Sequence, residues 1–182
     1  MKSVVIFLAP GFEEIEAVTV IDVLRRADIQ VTVAGLEEGL ITGSHGITIQ
    51  ADTSVDKIRS ESFDMVVLPG GLPGTNHLRD DPRVKAFLKE MAGSDKYTCA
   101  ICAAPVVLQA ADLVQGKAVT SHPVVQTDMK ETDYREERVV VDGKVVTSRG
   151  PGTAMEFSLE LVRILAGPNK ALELAAIMLA KR

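Results

Sequence analysis

Apolar and polar positions along the chain fall into two alternating kinds of block. Lys2–Leu8 is a nearly continuous apolar run, the pattern of a strand covered on both faces. Pro10-Gly11 breaks it. Glu14–Ala27 then takes helical spacing, with Ile15, Val18, Ile21 and Leu24 on one stripe of the kind that faces a core. Gln30–Leu36 predicts the next strand, and Leu40–Gln50 two short strands around Gly43–Gly46. Phe63–Leu68 is another buried strand and runs into Pro69-Gly70-Gly71. Asp81-Pro82 supplies an N-cap and first-turn pair for a helix over Arg83–Ala92. Lys96–Ile101 predicts a strand and Ala103–Ala111 a helix directly after it. Ala118-Val119-Thr120 is a short strand, and Val139–Ser148 a hairpin around Asp142-Gly143. Thr153–Leu165 and Ala171–Ala180 complete the pattern as helices.

Strands alternating with helices predict a mostly parallel sheet covered on both faces, carrying its chemistry at the carboxyl ends of the strands. The loops after Leu8, Leu68, Ile101 and Ser148 are therefore the candidate site. No repeat, low-complexity tract or linker divides the 182 residues, so a single domain over 1–182 is expected. With 46% hydrophobic and 25% charged residues, the chain can build a core and is not of disordered type. Twenty Lys and Arg against 25 Asp and Glu leave a formal charge of −5, without a basic run, which argues against nucleic acid as a partner. The first apolar run is too short to span a bilayer and reads as a strand rather than a signal-peptide core. With only two cysteines, a cytoplasmic, reducing location is expected.

Cys102 is the sharpest chemical signal. It lies on the turn between a predicted strand and a predicted helix, a place that resembles the nucleophile elbow of hydrolases without its Gly-x-Ser-x-Gly sequence. A helix start there would lower the thiol pKa and favour the thiolate; a small buried residue that happens to be Cys is the plainer alternative. Cys99 completes Cys-Ala-Ile-Cys, but residues three apart on a strand are roughly 10 Å apart, beyond the ~7 Å a disulfide spans. Zinc is not expected, because no second cysteine pair or His-x-x-x-His follows. Glu13, Glu14 and Glu16 crowd one helix start. Glu13 and Glu14 read as solvated groups favoured by the helix dipole. Glu16 reads either the same way or as a half-buried general acid or base. Gly70 and Gly71 read as a sharp turn or as an oxyanion hole. His122 reads as a loop histidine or as a base or orienter for Cys102. In Arg149–Thr153, the glycines around Pro151 could shape a pocket wall.

Together these stretches resemble the ThiJ/PfpI superfamily, in its DJ-one branch. Ala9–Glu16, Val31–Gly35, Val66–Gly71, Ala100–Pro105 (Ala-Ile-Cys-Ala-Ala-Pro) and Thr147–Thr153 (Thr-Ser-Arg-Gly-Pro-Gly-Thr) carry the resemblance over nearly the whole chain. It implies a flavodoxin-like three-layer α/β/α sandwich with a β-hairpin, and a homodimer. It also implies Cys102 as an elbow cysteine in a strained conformation, Glu16 as its protonated neighbour, and Gly70, Gly71 and Ala103 on the oxyanion side. His122 would approach the cysteine. Gly150 and Pro151 would line the pocket, and Arg26 near the dimer interface would help bind anions. Ala103 stands where the protease-like branch has His, and His122-Pro123-Val124 lacks the Glu of glutamine amidotransferases, so both activities are disfavoured. His45 stands in place of a second family arginine, and Gln50 in place of the extra cysteine of animal members.

The implied activity is that of a cofactor-independent, metal-free glyoxalase or deglycase. It would act on methylglyoxal or on glycated protein side chains, with Cys102 as nucleophile and Glu16, with His122, moving protons. The alternative is a redox sensor or redox-regulated chaperone, through oxidation of Cys102 to the sulfinate.

Overall fold

A computed structural model describes residues 1–180. Strand β1 (Ser3–Leu8) is buried at every residue after Ser3, because it runs through the middle of the sheet. Helix α1 (Glu14–Arg26) returns the chain to β2 (Gln30–Gly35), which pairs parallel to β1. A small antiparallel hairpin, β3 (Leu40–Thr42) and β4 (Thr48–Gln50), follows, and then a short edge strand, β5 (Thr53–Ser54). β6 (Met65–Leu68) pairs with the other side of β1. Helices α2 (Gly74–Asp80) and α3 (Pro82–Gly93) lead to β7 (Tyr97–Ile101), and α4 (Pro105–Ala110) follows it. β8 (Ala118–Val119) and β9 (Asp133–Tyr134) pair beside the main sheet. The hairpin of β10 (Val139–Asp142) and β11 (Val145–Ser148) is antiparallel and turns at Asp142-Gly143, as its sequence predicts. Helices α5 (Ala154–Ala166) and α6 (Pro168–Ile177) come last.

The seven-stranded sheet has the order β10-β11-β7-β6-β1-β2-β5, and every pairing but that of β10 with β11 is parallel. Alternate side chains feed two cores. Val5, Phe7, Val66, Leu68 and Ala100 pack with Leu78, Phe87, Leu88, Met91 and Val107 of α2, α3 and α4. Val4, Ile6, Leu8, Val67 and Ile101 pack with Val20, Leu24, Phe157 and Leu161 of α1 and α5. This is the expected three-layer sandwich with a mostly parallel sheet. The parallel strands β1, β2, β6, β7 and β11 all end on one side, where their loops meet.

The structure corrects the reading of α1. Its buried face carries Ala17, Val20, Val23 and Leu24, while Ile15 and Val18 are 57% and 47% exposed. Two apolar ridges compete on this helix. The one containing small Ala17 lies on the sheet, and Glu16 goes inward with it. Ala103 and Ala104 form a turn rather than the start of α4, and α2 was not predicted, since it buries only Gly74, Thr75 and Leu78. Helix α6 starts and ends three residues earlier than its pattern predicts, with Pro168 in its first turn. Among the described residues, no helix is long and apolar enough to cross a membrane.

Candidate active site

Cys102 follows the last residue of β7 and holds φ at +64°, the left-handed region. That conformation costs a non-glycine residue roughly 1–2 kcal/mol. The surrounding backbone imposes it. The Cys102 N–H donates to the Ser148 carbonyl at 2.9 Å, and its carbonyl accepts from the His122 N–H at 2.8 Å. The Cys102 backbone is thus tied between the end of β11 and the His122 loop, and the residue is only partly exposed.

Glu16 reaches the same point from the first turn of α1. It is completely buried, and its Oε2 accepts the Gly70 N–H at 2.7 Å. Its Oε1 has no hydrogen-bond partner. Burial pushes the carboxyl up from 4.5 to about 7 against the pull of the Gly70 N–H and Cys102, with a small further push from the charge on Glu13. Gly70 sits at the junction. A Cβ there would lie 2.7 Å from the Cys102 Cβ, 2.9 Å from Glu16 Oε2 and 3.1 Å from the Ala103 nitrogen. Gly71 holds φ at +89°, and a side chain on it would overlap the Glu13 nitrogen, which itself donates to the Gly70 carbonyl at 2.9 Å. The Gly70 N–H is committed to Glu16. The N–H groups that favour negative charge at sulfur are those of Ala103 and Gly71.

The expected low thiol pKa is not what this geometry produces. Burial, followed by the charge and hydrogen bonding of Glu16, pushes the Cys102 thiol up to about 12, and the Ala103 and Gly71 N–H groups only partly oppose them. Helix α4 starts three residues later and is six residues long, so its dipole adds little at the sulfur. Above about pH 7, Cys102 and Glu16 therefore behave as a pair that holds one negative charge and one shared proton. Cys99 is fully buried in β7 with its thiol also pushed up by burial, and both cysteines are free.

His122 caps the turn over Pro123–Asp128, its Nδ1 accepting the Val124 N–H at 3.2 Å. A neutral ring so held carries its proton on Nε2 and offers a donor. Of the two roles expected for it, orienting or proton-donating fits this tautomer and base does not. A Cβ on Gly150 would lie 3.5 Å from the His122 ring, which puts the Gly150–Pro151 loop beside that imidazole. Arg26 is not brought into this pocket. It lies ten residues along α1 from Glu16, roughly 15 Å at helical rise, and its guanidinium pairs with Asp22 at 2.7 Å on the surface.

Glu13, Glu14 and His45 form a cluster the sequence did not reveal. Glu13 and Glu14 are 7% and 3% exposed rather than solvated. The loop joining β3 and β4 wraps them: Glu14 Oε1 accepts from the backbone N–H groups of His45 at 2.6 Å and Ile47 at 3.3 Å. The exposed His45 ring places Nδ1 3.0 Å from Glu14 Oε2 and 3.3 Å from Glu13 Oε2. Burial alone would raise the Glu14 carboxyl, but the His45 ring and these N–H groups override it and hold it at about 2. Hydrogen bonding to Glu14, with the charges of Glu13 and Glu14, raises the His45 pKa. Among the described residues, this is the one group with donor atoms close enough to hold a metal ion, all within 4.8 Å of one another. The available signal was Gly43: a side chain there would overlap the Glu14 carboxylate, so Gly-Ser-His facing Glu-Glu marks a wrapped carboxylate.

The DJ-1/PfpI family model matches residues 2–164. The Drosophila melanogaster protein dj-1beta is 44% identical over 177 residues, covering 96% of this chain and 95% of its own. A Caenorhabditis elegans protein named glutathione-independent glyoxalase DJR-1.2 is 38% identical over 172 residues, covering 93% and 91%. The solved structure of oxidized Toxoplasma gondii DJ-1 superposes with a TM-score of 0.96 at 36% identity, covering all of both chains. The chain belongs to the DJ-1/PfpI family.

Proposed function

We propose that this protein is a cysteine-dependent glyoxalase that converts methylglyoxal or a similar small dicarbonyl to the hydroxy acid without glutathione. One observation carries the reading: a fully buried carboxyl titrating near 7 is paired with a thiol held above the sheet in a left-handed conformation. A relative named as a glutathione-independent glyoxalase supports the same reaction class.

The steps follow from the pair. The Cys102 sulfur attacks the aldehyde carbon as Glu16 takes the thiol proton, and the carbonyl electron pair moves to oxygen. The Ala103 and Gly71 N–H groups, which face the sulfur, stabilise negative charge there. Glu16 returns the proton to that oxygen, giving a hemithioacetal. It then removes the carbon-bound hydrogen of the former aldehyde, while His122 Nε2–H donates toward the neighbouring carbonyl oxygen. Glu16 delivers the abstracted proton to the second carbon of the enediol while the first-carbon hydroxyl returns a proton to His122 Nε2, giving a thioester. Water cleaves the thioester, releasing lactate and restoring the thiol. The first carbon is oxidised and the second reduced, so no outside oxidant is needed. This reading takes a small reactive carbonyl or a glycated side chain as substrate and a second copy of the chain as partner.

A redox-sensing role is the second reading, favoured by Glu16 Oε1. It is buried, without a partner, and on the carboxyl that faces Cys102. A protonated Glu16 would donate a charge-assisted hydrogen bond to a Cys102 sulfinate. Lactate formation from methylglyoxal, without glutathione, separates the two. Wild type is expected to make lactate and Cys102→Ser none. Equal rates in both would overturn the mechanism, and no lactate from either would leave the redox reading.

A further inference from the structure

We propose that Tyr134 is a positioning residue for the His122 imidazole, its hydroxyl clamping the peptide unit through which His122 is tied to Cys102. The inference deepens the glyoxalase reading and rests on its use of His122 as the proton donor beside the nucleophile.

The peptide between Ser121 and His122 has its two polar ends bound to different parts of the fold. Its N–H donates to the Cys102 carbonyl at 2.8 Å. Its C=O accepts from the Tyr134 hydroxyl at 3.0 Å. A peptide unit is planar, with its N–H and C=O pointing to opposite sides. Holding both ends fixes the plane that carries the His122 Cα. Ser121 is fully buried, so its backbone groups need partners within the protein.

Most other bonds on this segment are internal to it. The His122 carbonyl accepts from the Ser121 hydroxyl at 3.2 Å and from the Val125 N–H at 3.1 Å, and the ring Nδ1 from the Val124 N–H at 3.2 Å. Pro123 keeps His122 in extended backbone. These contacts set the shape of the segment but not where it stands against Cys102. Upstream, the Thr120 N–H donates to the Thr147 hydroxyl at 2.9 Å, two residues short of His122. Tyr134 comes from outside the segment. It lies on β9 opposite Val119 of β8, and the next N–H, that of Arg135, donates to the Val119 carbonyl at 2.7 Å. Its side chain packs against the core, and its hydroxyl also stands 3.2 Å from the Ser121 hydroxyl. The ring thus carries the rigidity of the core to the peptide beside His122.

Turnover and alkylation make different demands on this arrangement. Turnover needs His122 Nε2–H aligned on the substrate while the Cys102 sulfur holds its first carbon. Alkylation of Cys102 needs only the sulfur and Glu16. A hydroxyl that positions His122 therefore matters for the first and not for the second.

The test compares wild type, Tyr134→Phe, His122→Gln and the double variant for lactate formation from methylglyoxal and for Cys102 alkylation by iodoacetamide. Phenylalanine keeps the partly exposed ring and removes only the hydroxyl. Tyr134→Phe is expected to lower kcat about tenfold, with KM and the alkylation rate each within about twofold of wild type. In the His122→Gln background, losing the hydroxyl is expected to change kcat by less than about twofold, because the two residues act as one unit. An unchanged kcat, a loss carried by KM, a matching fall in alkylation, or the same loss with and without His122 would each overturn the proposal. Hydrogen exchange at the His122 amide, read by NMR, requires no turnover. Tyr134→Phe is expected to speed it about tenfold while the amide of Val66 in β6 keeps its rate. Equal His122 rates in both proteins, or a rise shared by Val66, would be equally fatal. Wild type that makes no lactate would instead overturn the glyoxalase reading, and the exchange rates would then decide the clamp by themselves.

Discussion

Replacing Glu16 with glutamine is expected to stabilise the protein above neutral pH while disabling its site. The folded-state pKa is about 7 against an ordinary 4.5. Between those values the folded chain holds a proton that the unfolded chain has released, so stability falls as pH rises from 4.5 through 7 and then levels off. The ionised, fully buried carboxylate costs about 3 kcal/mol at roughly 1.4 kcal/mol per pH unit. Glutamine does not ionise. Its side-chain oxygen can keep the Gly70 N–H, and its NH2 can face the sulfur. Imperfect satisfaction of that NH2 takes back roughly 1–2 kcal/mol. Glu16→Gln is therefore expected to be more stable than wild type at pH 8 by about 1–2 kcal/mol, or roughly 2–8 °C in Tm for a chain of this size. At pH 4.5 it is expected to be equal or slightly less stable. The assay is thermal melting of both proteins across pH 4.5–8, read as the difference between them, which cancels every group they share. Staying at or below pH 8 keeps the measurement clear of thiol titration in the unfolded chain. A Tm difference that does not change with pH, or wild type more stable at pH 8, would refute the burial argument for Glu16.

Gly70→Ala is expected to destabilise the protein by about 1–3 kcal/mol and to suppress Cys102 alkylation, because its Cβ would press on the Cys102 Cβ and the Glu16 carboxylate together; melting curves and alkylation rates check both effects. Under native conditions iodoacetamide is expected to label one cysteine per chain, Cys102, and in denaturant both; intact-mass spectrometry showing native labelling at fully buried Cys99 would contradict the structure of β7.

The architecture was legible in the sequence because it follows from local pattern. Unbroken apolar runs such as Phe63–Leu68 read as two-faced strands, and Asp142-Gly143 reads as a hairpin turn whatever surrounds it. The position of Cys102 between β7 and the α4 region follows from the same local order, and so does its place at a strand's carboxyl end. The resemblance in Ala100–Pro105 and Thr147–Thr153 then points to Glu16 and Gly70 as its neighbours.

Only the tertiary structure decided the rest. Helix α1 offers two apolar ridges, and packing against the sheet selects the one with Ala17 and Val20, turning Ile15 and Val18 outward and Glu16 inward. Glu13 and Glu14 look like dipole-favoured surface carboxylates until the loop from Gly43 to Ile47 folds over them. Arg26 shares a helix with Glu16 yet stands a helix length away from the pocket. The thiol pKa depends on a balance between burial, the Glu16 charge and two N–H groups, and three of those four influences come from residues remote in sequence or from the fold itself. Periodicity is a property of neighbours along the chain, whereas burial and Coulomb interactions depend on distances in space, so the sequence alone determined the elements and the tertiary structure determined the charge states at their meeting point.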